Sequence, residues 1–227
     1  MSDDNSFDRE AVRTAIIDST LPHLPFDGWS QATLQHCAED AGFDKVMALR
    51  VFPGGPVEAV EFWSQLTDRR MLAAFEQRDL SGMKIRERIA TAIRVRLEQT
   101  AGHREAVRRA LGLLAMPLNA GKGPALLWRT VDAIWYAAGD NATDFNYYTK
   151  RGLLAGVYSA TVLYWLEDRS ERFENTWSFL DRRIGDVLRV PQALSGLRKQ
   201  MERLPSPLSL LRRGPSRVGS AGSRPNS

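Results

Sequence analysis

Trp135-Tyr136-Ala137-Ala138-Gly139-Asp140-Asn141-Ala142-Thr143-Asp144-Phe145-Asn146-Tyr147-Tyr148-Thr149-Lys150-Arg151 is a helix end, a polar Gly-Asp break and the start of a second helix. Asp144 is placed to cap that second helix. From Gly152 to Leu166 the chain is apolar or small, apart from the hydroxyls of Tyr158, Ser159, Thr161 and Tyr164. A polar, aromatic-studded corner followed by a greasy helix suggests a surface for a partner beside a cavity for something apolar.

Outward from this corner the pattern stays helical, and convincing period-two runs of β-branched residues are missing. Residues 8–21 read as a first helix with Val12, Ile16 and Ile17 inward, broken by Leu21-Pro-His-Leu-Pro-Phe-Asp-Gly28. Ser30 caps a helix carrying Leu34, Cys37, Ala38 and Ala41 on one face, with Gly42 as its stop. Asp44 caps a short helix ending at Phe52-Pro-Gly-Gly55, and Pro56 opens a long one with Val60, Trp63, Leu66 and Phe75. Helices at 83–100 and 103–116 follow, then one from Pro124 through Leu127, Val131, Ile134 and Trp135. Ser170 starts another, with Phe173, Trp177, Leu180, Ile184 and Val187 inward, and Pro191 begins the last. The fold class is therefore all-α, a bundle of about nine to ten helices. Its expected parts are a three-helix unit at 8–55, a ligand-binding and dimerisation domain at 56–190, an amphipathic helix at 191–213 and a disordered basic end at 214–227.

Composition narrows the classes. The 227 residues are 43% hydrophobic, enough for a sizeable core, and the single cysteine, Cys37, excludes an intrachain disulfide. The longest apolar run, about 15 residues, falls short of the roughly 20 that a membrane span needs. The acidic Met1-Ser-Asp-Asp-Asn5 start has neither a signal-peptide core nor the arginines of a transit peptide, which suggests a bacterial cytoplasmic protein. Of the net +4, residues 189–227 supply +7 through eight Lys/Arg against Glu202 alone, leaving −3 for residues 1–188. A nucleic-acid reader would carry its positive patch on the folded module. A basic tail on an acidic body better fits an anionic membrane surface.

No catalytic constellation emerges. His23, His36 and His103 are far apart in sequence and none forms a metal-spaced pair, so no metal is expected. Gly121-Lys-Gly123 lacks the length and the Ser/Thr of a phosphate loop. Asp132, Asp140 and Asp144 read as helix-face, loop and cap residues. No enzyme activity and no cofactor are expected.

Two stretches point to lipid. In the greasy helix, Gly152, Gly156 and Ala160 recur at four-residue spacing beside Ala155 and Ser159. This stripe either packs closely against another helix, including one across a dimer, or leaves room for a lipid chain. In the second case Leu127, Val131, Leu153, Val157 and Leu163 form the wall with Gly156 and Ala160. In the tail, Leu194, Leu197, Met201 and Leu204 share one helix face and Arg198, Lys199 and Arg203 rim it. That pattern suits a helix lying in a membrane interface, or one docked on the body.

The segment 30–55 resembles the helix-turn-helix of TetR regulators, but its second helix, Lys45-Val-Met-Ala-Leu-Arg-Val51, suits packing better than reading DNA. Leu49 and Val51 stand where phosphate-contacting aromatics usually do, and Gly55 replaces the usual lysine. A wider match carries more. Ala138 to Arg151, Phe173 to Leu180, Met116-Pro-Leu-Asn119 and Gly28-Trp29 together resemble the ubiquinone (coenzyme Q) biosynthesis accessory proteins, lipid-binding relatives of TetR, over roughly residues 10–213. The resemblance implies a TetR-like homodimer with a degenerate helix-turn-helix that no longer binds nucleic acid. It implies a pocket for an isoprenoid quinone intermediate or another lipid, and a C-terminal helix peripheral on the inner membrane. It also implies a partner, the di-iron demethoxyubiquinone hydroxylase, docking at Ile134, Asp144, Tyr147, Tyr148 and Arg151. Tyr147 stands where animal members have Trp. The alternative is a TetR-type regulator with an apolar effector.

Overall fold

The protein is described here by a computed structural model, covering residues 8–139 and 146–186; the side chains of Asn146 and Tyr147 are also outside the description. The described residues are helical, with no strand among them.

The first four helices form from local signals. α1 (Arg9–Thr20) starts where the Asp8 carboxylate accepts hydrogen bonds from the Glu10 and Ala11 amides, and it buries Ile16 and Ile17 completely. α2 (Leu24–Asp27) is a single turn inside the stretch expected only to break the chain. Gly28 ends it at φ 65°, and a Cβ there would meet Arg109 Nη1 at 3.2 Å. α3 (Gln31–Asp40) is capped by Ser30, whose Oγ accepts from the Thr33 amide at 3.0 Å. After the turn at Gly42, with φ 83°, the Asp44 carboxylate caps α4 (Lys45–Val51). Both caps stand where the sequence places them.

α5 (Gly55–Glu76) and α6 (Ile85–Gln99) pack on each other, and α7 (Arg104–Leu114) holds α2 through a hydrogen bond from Arg109 Nη2 to the Pro25 carbonyl. A 3-10 turn at Pro117–Asn119 separates α7 from α8 (Lys122–Ala137), which starts two residues before the expected Pro124. α9 (Asn146–Glu167) lies against α8. The expected Asp144 cap lies outside the described residues. A 3-10 turn at Glu171–Phe173 precedes α10 (174–186).

Asp168 organises that last junction. Its Oδ1 accepts from the Ser170 amide and hydroxyl, and its Oδ2 from the Thr176 amide and hydroxyl. Burial works to raise its pKa, but these hydrogen bonds outweigh it and hold the carboxyl at about 2. The folded value lies below the ordinary one, so the stabilisation is complete above about pH 4 and is lost as pH falls through about 2. Asp168→Asn is expected to cost about 1–3 kcal/mol at neutral pH. In denaturant titrations the gap between wild type and variant should close between pH 4 and 2; a gap independent of pH would refute the role.

Two apolar cores result. One joins α1–α4 to the first half of α5, with Ala106, Ala110 and Leu126 added from α7 and α8. The other joins the end of α5 to α6, α8, α9 and α10 around the fully buried Trp165. The described residues form one compact unit. The membrane-binding residues expected in the tail (Leu194, Leu197, Arg198, Lys199, Met201, Arg203 and Leu204) lie outside the described residues. No described helix is long and apolar enough to cross a membrane.

Candidate functional site

A cavity of about 600 Å³ opens between α5, α7, α8 and α9. Its walls are apolar because each helix presents one apolar face to it: Val60 and Trp63 from α5, Val107, Leu111 and Leu114 from α7, Leu126 and Leu127 from α8, Val162 and Leu163 from α9. The volume falls within the roughly 300–1,000 Å³ of small-molecule sites. Leu163, 61% exposed, stands on the solvent side of this wall.

One part of the lining is polar. Arg96 of α6 reaches in and is 9% exposed. Its Nε donates to Asp68 Oδ1 at 2.6 Å, its Nη1 to the Tyr158 hydroxyl at 2.6 Å, and its Nη2 to Ser64 Oγ at 3.1 Å and Thr130 Oγ1 at 3.3 Å. Thr130 Oγ1 in turn donates to the Asp68 carboxylate. Asp68 lies behind the lining, whereas Arg96, Tyr158, Ser64 and Thr130 face the cavity. Burial pushes the Tyr158 phenol above its usual value, a shift that nearby Arg96 opposes, so the hydroxyl keeps its proton at neutral pH. Nothing in the sequence marked this group: Asp68 and Arg96 sit on different helices, where charges ordinarily read as surface.

Only part of the expected lipid wall lines this cavity. Leu127 and Leu163 do, while Val131, Leu153, Gly156, Val157 and Ala160 do not. Val131 and Val157 are core residues packed on the neighbouring helices. Gly152 and Gly156 are exposed, and a Cβ on either would meet nothing within 4 Å. The cavity uses another face of α9, through Tyr158, Ser159, Val162 and Leu163.

The expected docking residues also separate. Ile134 is 0% exposed, deep in the second core. Arg151 is buried, and its Nε donates to Asp132 Oδ1 at 2.7 Å. Neither can touch a partner directly without moving, which corrects both expectations. Tyr148 is 70% exposed and stacks on Trp128 with ring centroids 6.2 Å apart. Asp144 and the side chain of Tyr147 lie outside the description. Trp128 and Tyr136 are exposed on the same stretch of chain. The four-residue spacing of Trp128, Asp132 and Tyr136 along α8 puts them on one face, away from buried Val131 and Trp135.

His23 and His36, expected to stay apart, come together with Asp40. Asp40 Oδ2 is 3.4 Å from His23 Nε2 and 3.7 Å from His36 Nε2, and ligand atoms of all three lie within 4.8 Å of one another. Two imidazoles and a carboxylate are a donor set that zinc accepts; the fold brings His23 to His36 and Asp40, and the spacing of the histidines in the sequence does not show it. The partial exposure of all three also suits a simple surface ion-pair cluster. On α4, Ala48 and Val51 are buried, while Lys45, Val46, Leu49 and Arg50 are exposed.

Helices wrapped around an apolar cavity behind a helix-turn-helix outline define an all-α protein of the TetR-like class. A solved TetR transcriptional regulator from Nitrosomonas europaea ATCC 19718 shares this fold, with TM-score 0.65 and 21% identity over 78% of this chain and 98% of that one. The COQ9 family model matches residues 120–191. Mitochondrial ubiquinone biosynthesis protein COQ9 from Rattus norvegicus is 32% identical over 80% of this chain, and those from Homo sapiens and Drosophila melanogaster are 30% identical over 80% and 82%. Over residues 120–191 the chain carries the sequence pattern of the COQ9 family, and over about four fifths of its length it is similar to these ubiquinone biosynthesis proteins. It spans about 60%, 59% and 58%, respectively, of the length of these relatives.

Proposed function

We propose that this chain is a non-catalytic accessory protein of ubiquinone biosynthesis that holds an isoprenoid quinone intermediate at a membrane and presents it to a di-iron demethoxyubiquinone hydroxylase. The observation that carries this reading is the apolar cavity of about 600 Å³. Burying apolar carbon contributes about 0.8 kcal/mol per methylene, so a few isoprene units supply useful affinity. Purified protein extracted with organic solvent should yield an isoprenoid quinone or precursor enriched over bulk phospholipid in mass spectrometry. Recovery of only the membrane lipid mix would count against the reading.

Hydroxylase docking is assigned to the exposed aromatic face of α8 and the start of α9. Trp128, Tyr136 and Tyr148 are there, and aromatic anchors dominate protein interfaces. Tyr147→Ala with Tyr148→Ala is expected to lower hydroxylase capture at least tenfold, with stability changed by less than about 1 kcal/mol. Undiminished pull-down would remove these residues from the interface; a collapse of the fold would show that they are structural. The exposed small residues Gly152 and Gly156 support close packing of α9 on a second copy. The membrane role belongs to residues 191–213, and flotation with anionic vesicles after deletion of 191–227 tests it.

The solved TetR neighbour supports a second reading, a regulator with an apolar effector. Exposed Val46 and Leu49 stand on the face of α4 that would need polar groups for bases and phosphates. Duplex binding that weakens log-linearly with salt would favour the regulator; no mobility shift at low salt would exclude it.

A further inference from the structure

We propose that the Arg96–Tyr158 corner of the cavity is a headgroup subsite for an uncharged acceptor oxygen, of the carbonyl type, on an otherwise apolar molecule. The proposal rests on the lipid-holding reading and says which end of the molecule goes where.

Three observations carry it. First, donors are left over. The Tyr158 hydroxyl accepts from Arg96 Nη1, yet its own proton has no acceptor among the described residues. Arg96 has five N–H groups, and its contacts to Asp68, Tyr158, Ser64 and Thr130 engage four. The spare one is on Nη1, whose nitrogen is 2.6 Å from the Tyr158 oxygen. Second, both residues line the cavity and are more than nine-tenths buried, so a donor without an acceptor there costs free energy that a ligand oxygen restores. Third, the corner is electrically balanced. Arg96 is already neutralised by Asp68 at 2.6 Å. A carboxylate or phosphate entering would bring an uncompensated buried charge, whereas a carbonyl brings only the lone pairs that the two donors need. The rest of the wall accepts hydrocarbon, so the chain attached to that oxygen extends towards Leu127 and Leu163.

The test uses the full chain stripped of lipid, titrated calorimetrically with a decyl-substituted benzoquinone, decylbenzene and dodecanoic acid. The native protein is expected to prefer the quinone to both other probes. Tyr158→Phe should lower quinone affinity roughly five- to tenfold and leave decylbenzene affinity unchanged, which controls for altered packing. Equal binding of quinone and decylbenzene, tighter binding of dodecanoate, or an unaltered quinone affinity in Tyr158→Phe would overturn the subsite while leaving the lipid-holding cavity in place. Failure of the native chain to bind any of the probes would overturn the cavity reading and the subsite together. If Tyr158→Phe does not fold, the ranking of the three probes by the native protein decides.

Discussion

Replacing Arg96 by leucine is expected to destabilise the fold by about 3–5 kcal/mol, lowering the melting temperature by roughly 6–20 °C in a chain of this size. The guanidinium is 2.6 Å from Asp68, and the side chains of both are almost fully buried. Leucine would fill part of the volume and leave a buried carboxylate with Thr130 as its remaining donor. Ser64 and Tyr158 would lose a partner in the same step. Most of the effect comes from the stranded charge and not from the ion pair itself, so Arg96→Met combined with Asp68→Leu should recover most of the loss. Urea unfolding of the two variants separates these contributions. A single variant within about 1 kcal/mol of wild type would mean that the Asp68 carboxylate finds water in place of the guanidinium.

The second large effect is on lipid content. Ala110→Phe with Leu127→Trp adds bulk to two lining positions on α7 and α8, and co-purifying lipid is expected to fall more than tenfold. Overpacking a tight core typically costs about 1–3 kcal/mol, but here the added rings enter existing space. The melting temperature of the stripped variant should therefore stay within about 5 °C of the stripped wild type. Unchanged lipid content would place the lipid elsewhere. A much lower melting temperature would show that the rings do not fit the space.

The helices and their caps were legible because their causes are local. Ser30 and Asp44 each cap within three residues, and Gly42 turns the chain where the sequence places the stop. The orientation of α9 was not legible. It is apolar or small on nearly every side, so periodicity could not say which face meets the cavity, and the small residues drew attention to the wrong one. Ile134 teaches a different lesson. Its spacing from Val131 and Trp135 already pointed inward, and the family resemblance placed it at a docking surface; the structure sides with the spacing. The Arg96–Asp68 pair joins two helices, and His23, in the turn before α2, joins His36 and Asp40 of α3; neither long-range proximity is visible in one sequence.

The cavity has the two cores on either side of it. Val60, Trp63, Ala110 and Leu126 of its lining belong to the core around the first helices, and Tyr158 and Val162 to the core around Trp165. An apolar occupant would touch both at once and turn two adjoining hydrophobic masses into one continuous body. Under the proposed lipid-holding role such a guest is mortar as well as cargo: release would loosen the protein and reloading would knit it together, so that thermal resilience itself would report whether the cavity is full or empty.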